Sequence, residues 1–241
     1  MMSDILPNQC TLKSDVTLNG VGLHTGKNVT LTFKPAPANT GYVFKRIDLE
    51  GEPCIVADAN YVTNTQRGTN LEKDDVTIQT SEHVLAALVG LEVDNCILEL
   101  NASEPPIMDG SSKFFVEAIE KAGIVTQDAV REEYVVTEII NYIDEETGSE
   151  ITILPSDTYQ VTTMVDFGTK VLGTQNASIK NISEFKSEIS DSRTFSFLHE
   201  IEMLLDHGLI KGGDLNNAIV YLDKKLSEKT IEKLRHAFGK D

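Results

Sequence analysis

The chain has 241 residues, which at about 150 residues per domain allows one or two domains. Hydrophobic residues make up 40% and charged residues 24%, a composition that excludes a disordered or collagen-like chain. The formal net charge of −17 at pH 7 argues against broad nucleic-acid binding, because neutralising phosphates takes a surplus of Lys and Arg. A local basic pocket for one small anion stays possible.

The cysteines and the N-terminus bear on the cellular compartment. Cys10, Cys54 and Cys96 are an odd number at wide spacing, so neither a disulfide framework nor a Cys-x-x-Cys metal site is predicted. The first residues show no basic start followed by an apolar stretch, and no apolar run is as long as a membrane span. We therefore expect a cytoplasmic protein with no membrane span.

The first half of the chain predicts strands followed by helix, strand and helix. Alternating apolar residues between Thr11 and Phe33 indicate two strands around a glycine turn at residues 20–26. The further elements are a strand at 42–46, a helix within 78–90 that Thr80 or Ser81 caps, a strand at 93–100, and a helix from Ser111 to Lys121 that Gly123 ends. Two helices would cover one face of a sheet.

The second half begins in the same way. A polar stretch at 126–133 is the expected joint, so we predict domains at residues 1–127 and 128–241. The predicted elements are strands at 134–140, 151–154 and 160–165, a helix through 198–205 that Gly208 ends, a strand at 217–222 and a helix that Ser227 caps. The predicted fold class is α+β, with two similar domains that are each a sheet layered with two helices.

Glu82 and His83 are the first candidates for chemistry. They stand next to each other at the predicted start of a helix, where backbone N–H groups also point. A carboxylate beside an imidazole can act as a general base beside a metal ligand. The alternative is structural: Glu82 complements the helix dipole, and His83 packs nearby.

Two further candidates have equally simple structural explanations. His24 lies in the glycine turn and could meet an anionic ligand, or it is merely solvated there. Thr194 precedes a predicted helix, where its hydroxyl could donate to an oxyanion or cap the helix. The pattern of residues 109–111 is typical of a loop and a helix N-cap.

Five motifs taken together resemble one family in order and spacing. They are Gly-Val-Gly-Leu-His-Thr-Gly at 20–26, Pro-Ala-Pro-Ala-Asn-Thr-Gly at 35–41, Thr-Ser-Glu-His-Val-Leu-Ala-Ala-Leu at 80–88, Pro-Ile-Met-Asp-Gly-Ser at 106–111 and Ser-Arg-Thr-Phe at 192–195. The family is UDP-3-O-acyl-N-acetylglucosamine deacetylase, the zinc amidase of lipid A synthesis. The resemblance implies two similar α+β domains with the active site in a cleft between them.

The resemblance also implies roles for individual residues. Glu82 is similar to the general base that activates a zinc-bound water, and His83 to one of three protein ligands of Zn²⁺. Thr194 resembles the hydroxyl donor to the oxyanion, and Phe195 an aromatic residue that contacts the sugar. The implied reaction hydrolyses the acetamide of the acylated UDP-sugar to acetate and a free 2-amino sugar nucleotide. From its place in the glycine turn, His24 is taken as a second substrate-binding residue.

The family's remaining site motifs have no match in this sequence. Two zinc ligands come from a later His-x-x-x-Asp motif, and the general acid is a His in a later Gly-His context. We therefore expect a C-terminally truncated deacetylase whose 241 residues are a poor enzyme. In some bacteria the family continues into a fused dehydratase. The alternative function is a non-catalytic protein that binds a sugar nucleotide or an acyl chain.

Overall fold

The computed structural model describes residues 7–223 and 227–238. The strands of the first half are β1 (Asn8–Leu12), β2 (Val16–Val21), β3 (Asn28–Pro35), β4 (Tyr42–Arg46), β5 (Cys54–Val56), β6 (Val62–Asn64), β7 (Asn70–Lys73), β8 (Val76–Ile78), β9 (Cys96–Leu100) and β10 (Ile124–Val130), and its helices are α1 (Glu82–Gly90) and α2 (Lys113–Ala122). Helix α1 follows the predicted apolar periodicity. Helix α2 ends before Gly123 as expected, but its N-cap is Ser112 instead of the predicted Ser111.

A five-stranded sheet forms the centre of this half. Its strand order is β2-β3-β9-β4-β5, and only the β4–β9 pair within it is parallel. The core consists of apolar side chains from this sheet and from α1 and α2, including Phe33, Phe44, Leu98, Leu88 and Phe115. The two helices thus cover one face of the sheet, as the sequence predicts.

Strand β10 covers most of the polar stretch at 126–133 that was expected to join the two domains. Residues 124–130 pair antiparallel with β1, so the polar stretch continues the first half as far as Val130. Asn95 holds this corner together: its amide nitrogen donates to Gln9 Oε1 and to Gln127 Oε1, each at 2.8 Å. The boundary between residues 127 and 128 stays a prediction.

The second half contains two hairpins and a parallel strand pair. Its elements are β11 (Ile140–Ile143), β12 (Glu150–Ile153), β13 (Val161–Asp166), β14 (Thr174–Ile179), β15 (Phe195–Phe197), α3 (Leu198–Asp206), β16 (Ile219–Tyr221) and α4 (Glu228–Phe238). Strands β11–β12 and β13–β14 are antiparallel hairpins, whereas β15 and β16 are parallel and joined across α3. The fold class is α+β, as predicted.

Two observations set the hairpin region apart. The strand predicted at 134–140 is wrong except for its last residue, because residues 131–139 are irregular and β11 begins at Ile140. Large apolar side chains of the hairpins are exposed, among them Ile140, Tyr142, Ile143, Ile151, Ile153, Val161, Met164 and Val165.

Among the described residues, no helix is both long and apolar enough to cross a membrane.

Candidate active site

The N-terminus of α1 positions Glu82 and His83. Ser81 occupies the N-cap position, but its hydroxyl donates to the Thr69 carbonyl at 2.8 Å instead of capping the helix. The Thr69 amide in turn donates to Glu82 Oε2 at 2.8 Å. The loop before β7 therefore fixes both the start of the helix and the orientation of the Glu82 carboxylate.

His83 is less exposed than its neighbour. The side chains of His83 and Glu82 are 18% and 38% exposed, and His83 Nε2 lies 4.0 Å from Glu82 Oε1. Burial lowers the pKa of His83, although the charges of Glu82 and Asp109 oppose the shift. The imidazole is therefore neutral near pH 7, the state in which it can bind a metal or accept a proton.

Thr194 reaches the site from the second half of the chain. Its amide donates to the Gly110 carbonyl at 2.7 Å, and its own carbonyl accepts from the Ile219 amide at 3.0 Å. Gly110 has φ +87°, and a Cβ there would collide with the Asn217 carbonyl oxygen. Only glycine allows the loop after Asp109 to pass this close to the second half.

A mostly apolar cavity of about 710 Å³ lies where the two halves meet. Glu82, Thr194, Phe195 and His24 all line it, whereas His83 is not among its lining residues. Its apolar wall comes mainly from the second half and includes Leu198, Ile201, Leu204, Ile210, Leu215, Ala218, Val220, Leu222, Ile231 and Leu234. A carboxylate and a threonine that are more than a hundred residues apart in sequence thus share one cavity.

Phe195 lies within a cluster of aromatic rings. Its ring centroid is 5.3 Å from that of Phe167, 5.8 Å from Phe197 and 5.5 Å from Tyr221, all in edge-to-face geometry. Such packing fixes the orientation of the ring. The Phe195 side chain is still 38% exposed, so one part of it is accessible from the cavity.

His24 is held by a carboxylate that the sequence analysis did not single out. Glu104 is fully buried and accepts hydrogen bonds from the amides of His24 and Thr25 at 3.0 and 2.9 Å and from the Thr80 hydroxyl at 3.0 Å. A Cβ on Gly22 would lie 2.6 Å from Glu104 Oε2, which explains the glycine in this turn. No local pattern marks Glu104, since its partners are distant in sequence.

The His24 ring lies against the loop before β7. Its Nε2 lies 3.2 Å from the Arg67 carbonyl, which can only accept, so Nε2 is the donor. Nδ1 is buried and has no hydrogen-bond partner in the described part of the chain.

The described residues supply one candidate zinc ligand in this region, His83. Among them no group of three or more His, Cys, Asp or Glu side chains is arranged to hold a metal ion. A catalytic zinc site takes three protein ligands and one open position. The described residues therefore do not by themselves fit a complete zinc site.

Comparison with known proteins places these features in context. The family model for LpxC, UDP-3-O-acyl N-acetylglycosamine deacetylase, matches residues 9–237. Two proteins named bifunctional enzyme LpxC/FabZ, from Bacteroides thetaiotaomicron and Chlorobaculum tepidum, are 46% and 44% identical over 96% and 98% of this chain and 50% and 51% of their own length.

A UDP-3-O-acyl-N-acetylglucosamine deacetylase from Pseudomonas entomophila is 44% identical over 88% of this chain and 70% of its own length. The chain therefore spans about half the length of the bifunctional relatives and about 70% of this deacetylase. On the match of the family model and on these identities, the chain belongs to the LpxC family of UDP-3-O-acyl-N-acetylglucosamine deacetylases.

Proposed function

We propose that the protein hydrolyses the acetamide of UDP-3-O-acyl-N-acetylglucosamine in lipid A biosynthesis, giving acetate and the free 2-amino sugar nucleotide. The observation that supports this most is the shared cavity of Glu82 and Thr194 in a chain of this family. The apolar wall suits the acyl chain of the substrate, because burying methylene groups there removes them from water. The free cysteines are consistent with a cytoplasmic site for the reaction.

In this proposal Glu82 is the general base. The Thr69 amide holds one carboxylate oxygen, which leaves the other free to take the proton from the attacking water. Thr194 donates its hydroxyl hydrogen to the oxyanion that forms on the acetamide carbonyl. The C–N bond then breaks, and the amine leaves with the proton that Glu82 took from the water. Phe195 contacts the sugar, and His24 contacts a polar group of the substrate.

Zinc dependence belongs to the proposal as well. A bound zinc ion would lower the pKa of water and polarise the acetamide carbonyl, and His83 would be one of its ligands. Among the described residues, no further His, Cys, Asp or Glu side chains join His83 to complete such a site. Metal analysis of the purified protein measures whether zinc is bound.

Replacing Glu82 by Gln tests the assignment. The variant should bind the acylated UDP-sugar as the wild type does but release acetate about 10² to 10⁴ times more slowly, because only proton transfer is lost. Glu117→Gln, which removes the same charge from an exposed position of α2, is the matched control and should keep full turnover.

Calorimetry of substrate binding complements the acetate assay. Acylated UDP-N-acetylglucosamine should bind more tightly than the form without the acyl chain, and equal affinities would argue against the proposed function. Undiminished turnover in Glu82→Gln would show that Glu82 is not the general base. The expectation that residues 1–241 alone are a poor enzyme stays a prediction, which the same assay measures.

A further inference from the structure

A second cavity, of about 500 Å³, lies beside the apolar one. His24, Arg67 and Leu204 line both cavities and therefore form the wall between them. The rest of the second lining is mainly polar: Asn64, Gln66, Asn70, Gln79 and His207, with Met203 and Leu209. The wall thus separates a strongly apolar space from one with a larger share of polar side chains in its lining.

Arg67 is the charged member of this wall and is held at two points. Its Nη2 donates to Glu200 Oε1 on α3 at 2.7 Å, and its carbonyl accepts from His24 Nε2. Its φ of +63° lies in the left-handed region, which a residue other than glycine adopts only where its surroundings hold it. The ion pair and the His24 contact supply that support.

Hydrogen bonds from neighbouring residues hold the Glu200 carboxylate in place beside the Arg67 guanidinium. Its second oxygen accepts from the Phe197 amide at 3.1 Å and from the Ser196 hydroxyl at 3.3 Å. Burial would raise the pKa of Glu200, but the hydrogen bonds from Arg67 and from the Phe197 amide outweigh burial and lower it. The carboxylate is therefore ionised and fixed at neutral pH.

We propose that Arg67, held by Glu200, is a specificity-determining residue, an inference that rests on the proposed function. Arg67 closes the apolar cavity towards the second cavity and so limits the length of acyl chain that the protein accepts. A longer chain would have to displace the guanidinium from its partner carboxylate. Breaking a partly buried ion pair for one more apolar group is unfavourable, because both charges lose their partner. The limit therefore comes from charge as well as from volume.

The experiment measures, by calorimetry, the affinity for UDP-3-O-acyl-N-acetylglucosamine with saturated acyl chains that lengthen in steps of two carbons. For the wild type, affinity should rise with chain length and then level off. In Arg67→Ala and in Glu200→Gln the rise should continue for at least one more step, giving about tenfold tighter binding of the first chain beyond the wild-type limit. Glu200→Gln keeps the side-chain size and an oxygen for the Phe197 amide.

The matched control is Lys186→Met. Lys186 also joins the two halves by an ion pair, to Glu120 at 2.6 Å, but it lines neither cavity. Its profile should equal that of the wild type, and thermal unfolding of all variants checks that they fold. Unchanged profiles in both Arg67→Ala and Glu200→Gln would overturn the inference. A wild type that binds acylated and non-acylated UDP-sugar equally would instead overturn the proposed function.

Discussion

The five-stranded sheet of the first half and the two hairpins of the second half have similar local sequence patterns but differ in packing. In the first half, apolar residues on the sheet face α1 and α2 and are almost completely buried. In β11 to β13 every residue is exposed, including Tyr142 and Met164. Alternation along a strand therefore predicts extended structure, whereas burial depends on a second layer that packs against it.

The largest expected difference concerns a core side chain. Phe44 on β4 is fully buried, and Phe44→Ala should lower the free energy of unfolding by about 3 to 5 kcal/mol, since it removes a large apolar group and leaves a cavity. Urea unfolding followed by circular dichroism measures the loss. A loss below about 1 kcal/mol would contradict the tight packing of this half.

A smaller effect is expected at the end of the same strand. The Arg46 guanidinium donates to both oxygens of Asp48 at 2.8 Å, which lowers the pKa of Asp48 despite the opposing effect of burial. Because the folded-state pKa is lowered, the stabilisation is present above the ordinary carboxyl pKa and is lost as pH falls through the lowered one.

Asp48→Asn should therefore lower the free energy of unfolding by about 1 kcal/mol at pH 7. The difference from the wild type should shrink as the pH falls below about 4. Urea titrations over a pH series measure this. A constant difference across the series would show that the ion pair is not its cause.

The smallest effect is expected in the hairpins. Tyr142 on β11 is 63% exposed, so Tyr142→Ala should change the free energy of unfolding by less than about 0.5 kcal/mol. The same urea experiment compares it directly with Phe44→Ala. A loss of several kcal/mol would mean that this face of the hairpin is covered in the protein in solution.

The sequence predicts the helices well and the short strands poorly. The apolar spacing of Val84 and Leu88 places α1 on the core, so its existence and its end at Gly90 follow from the pattern. Strands β5 to β8 have three or four residues each, too few for a period to be recognised. Residues 134–139 show the opposite error, since their alternation predicts a strand that is absent there.

In the candidate site, too, the sequence predicts some residues and not others. Glu82, Thr194 and Phe195 are found through the family motifs, and the structure brings them to one cavity. The cavity wall, the buried Glu104 and the Arg67–Glu200 pair depend on contacts between distant parts of the chain. Such contacts leave no periodic signal in a single sequence, so only the folded structure reveals them.

The pairing of β1 with β10 also matters for how the protein is made. Gln9 donates to the Val130 carbonyl, a contact between residues 121 positions apart. A ribosome adds about 5 to 20 residues per second, so β1 must stay without its partner strand for several seconds after it is synthesised. During that time the backbone of β1 lacks the hydrogen bonds that β10 later supplies, and an unpaired strand edge can pair with other chains.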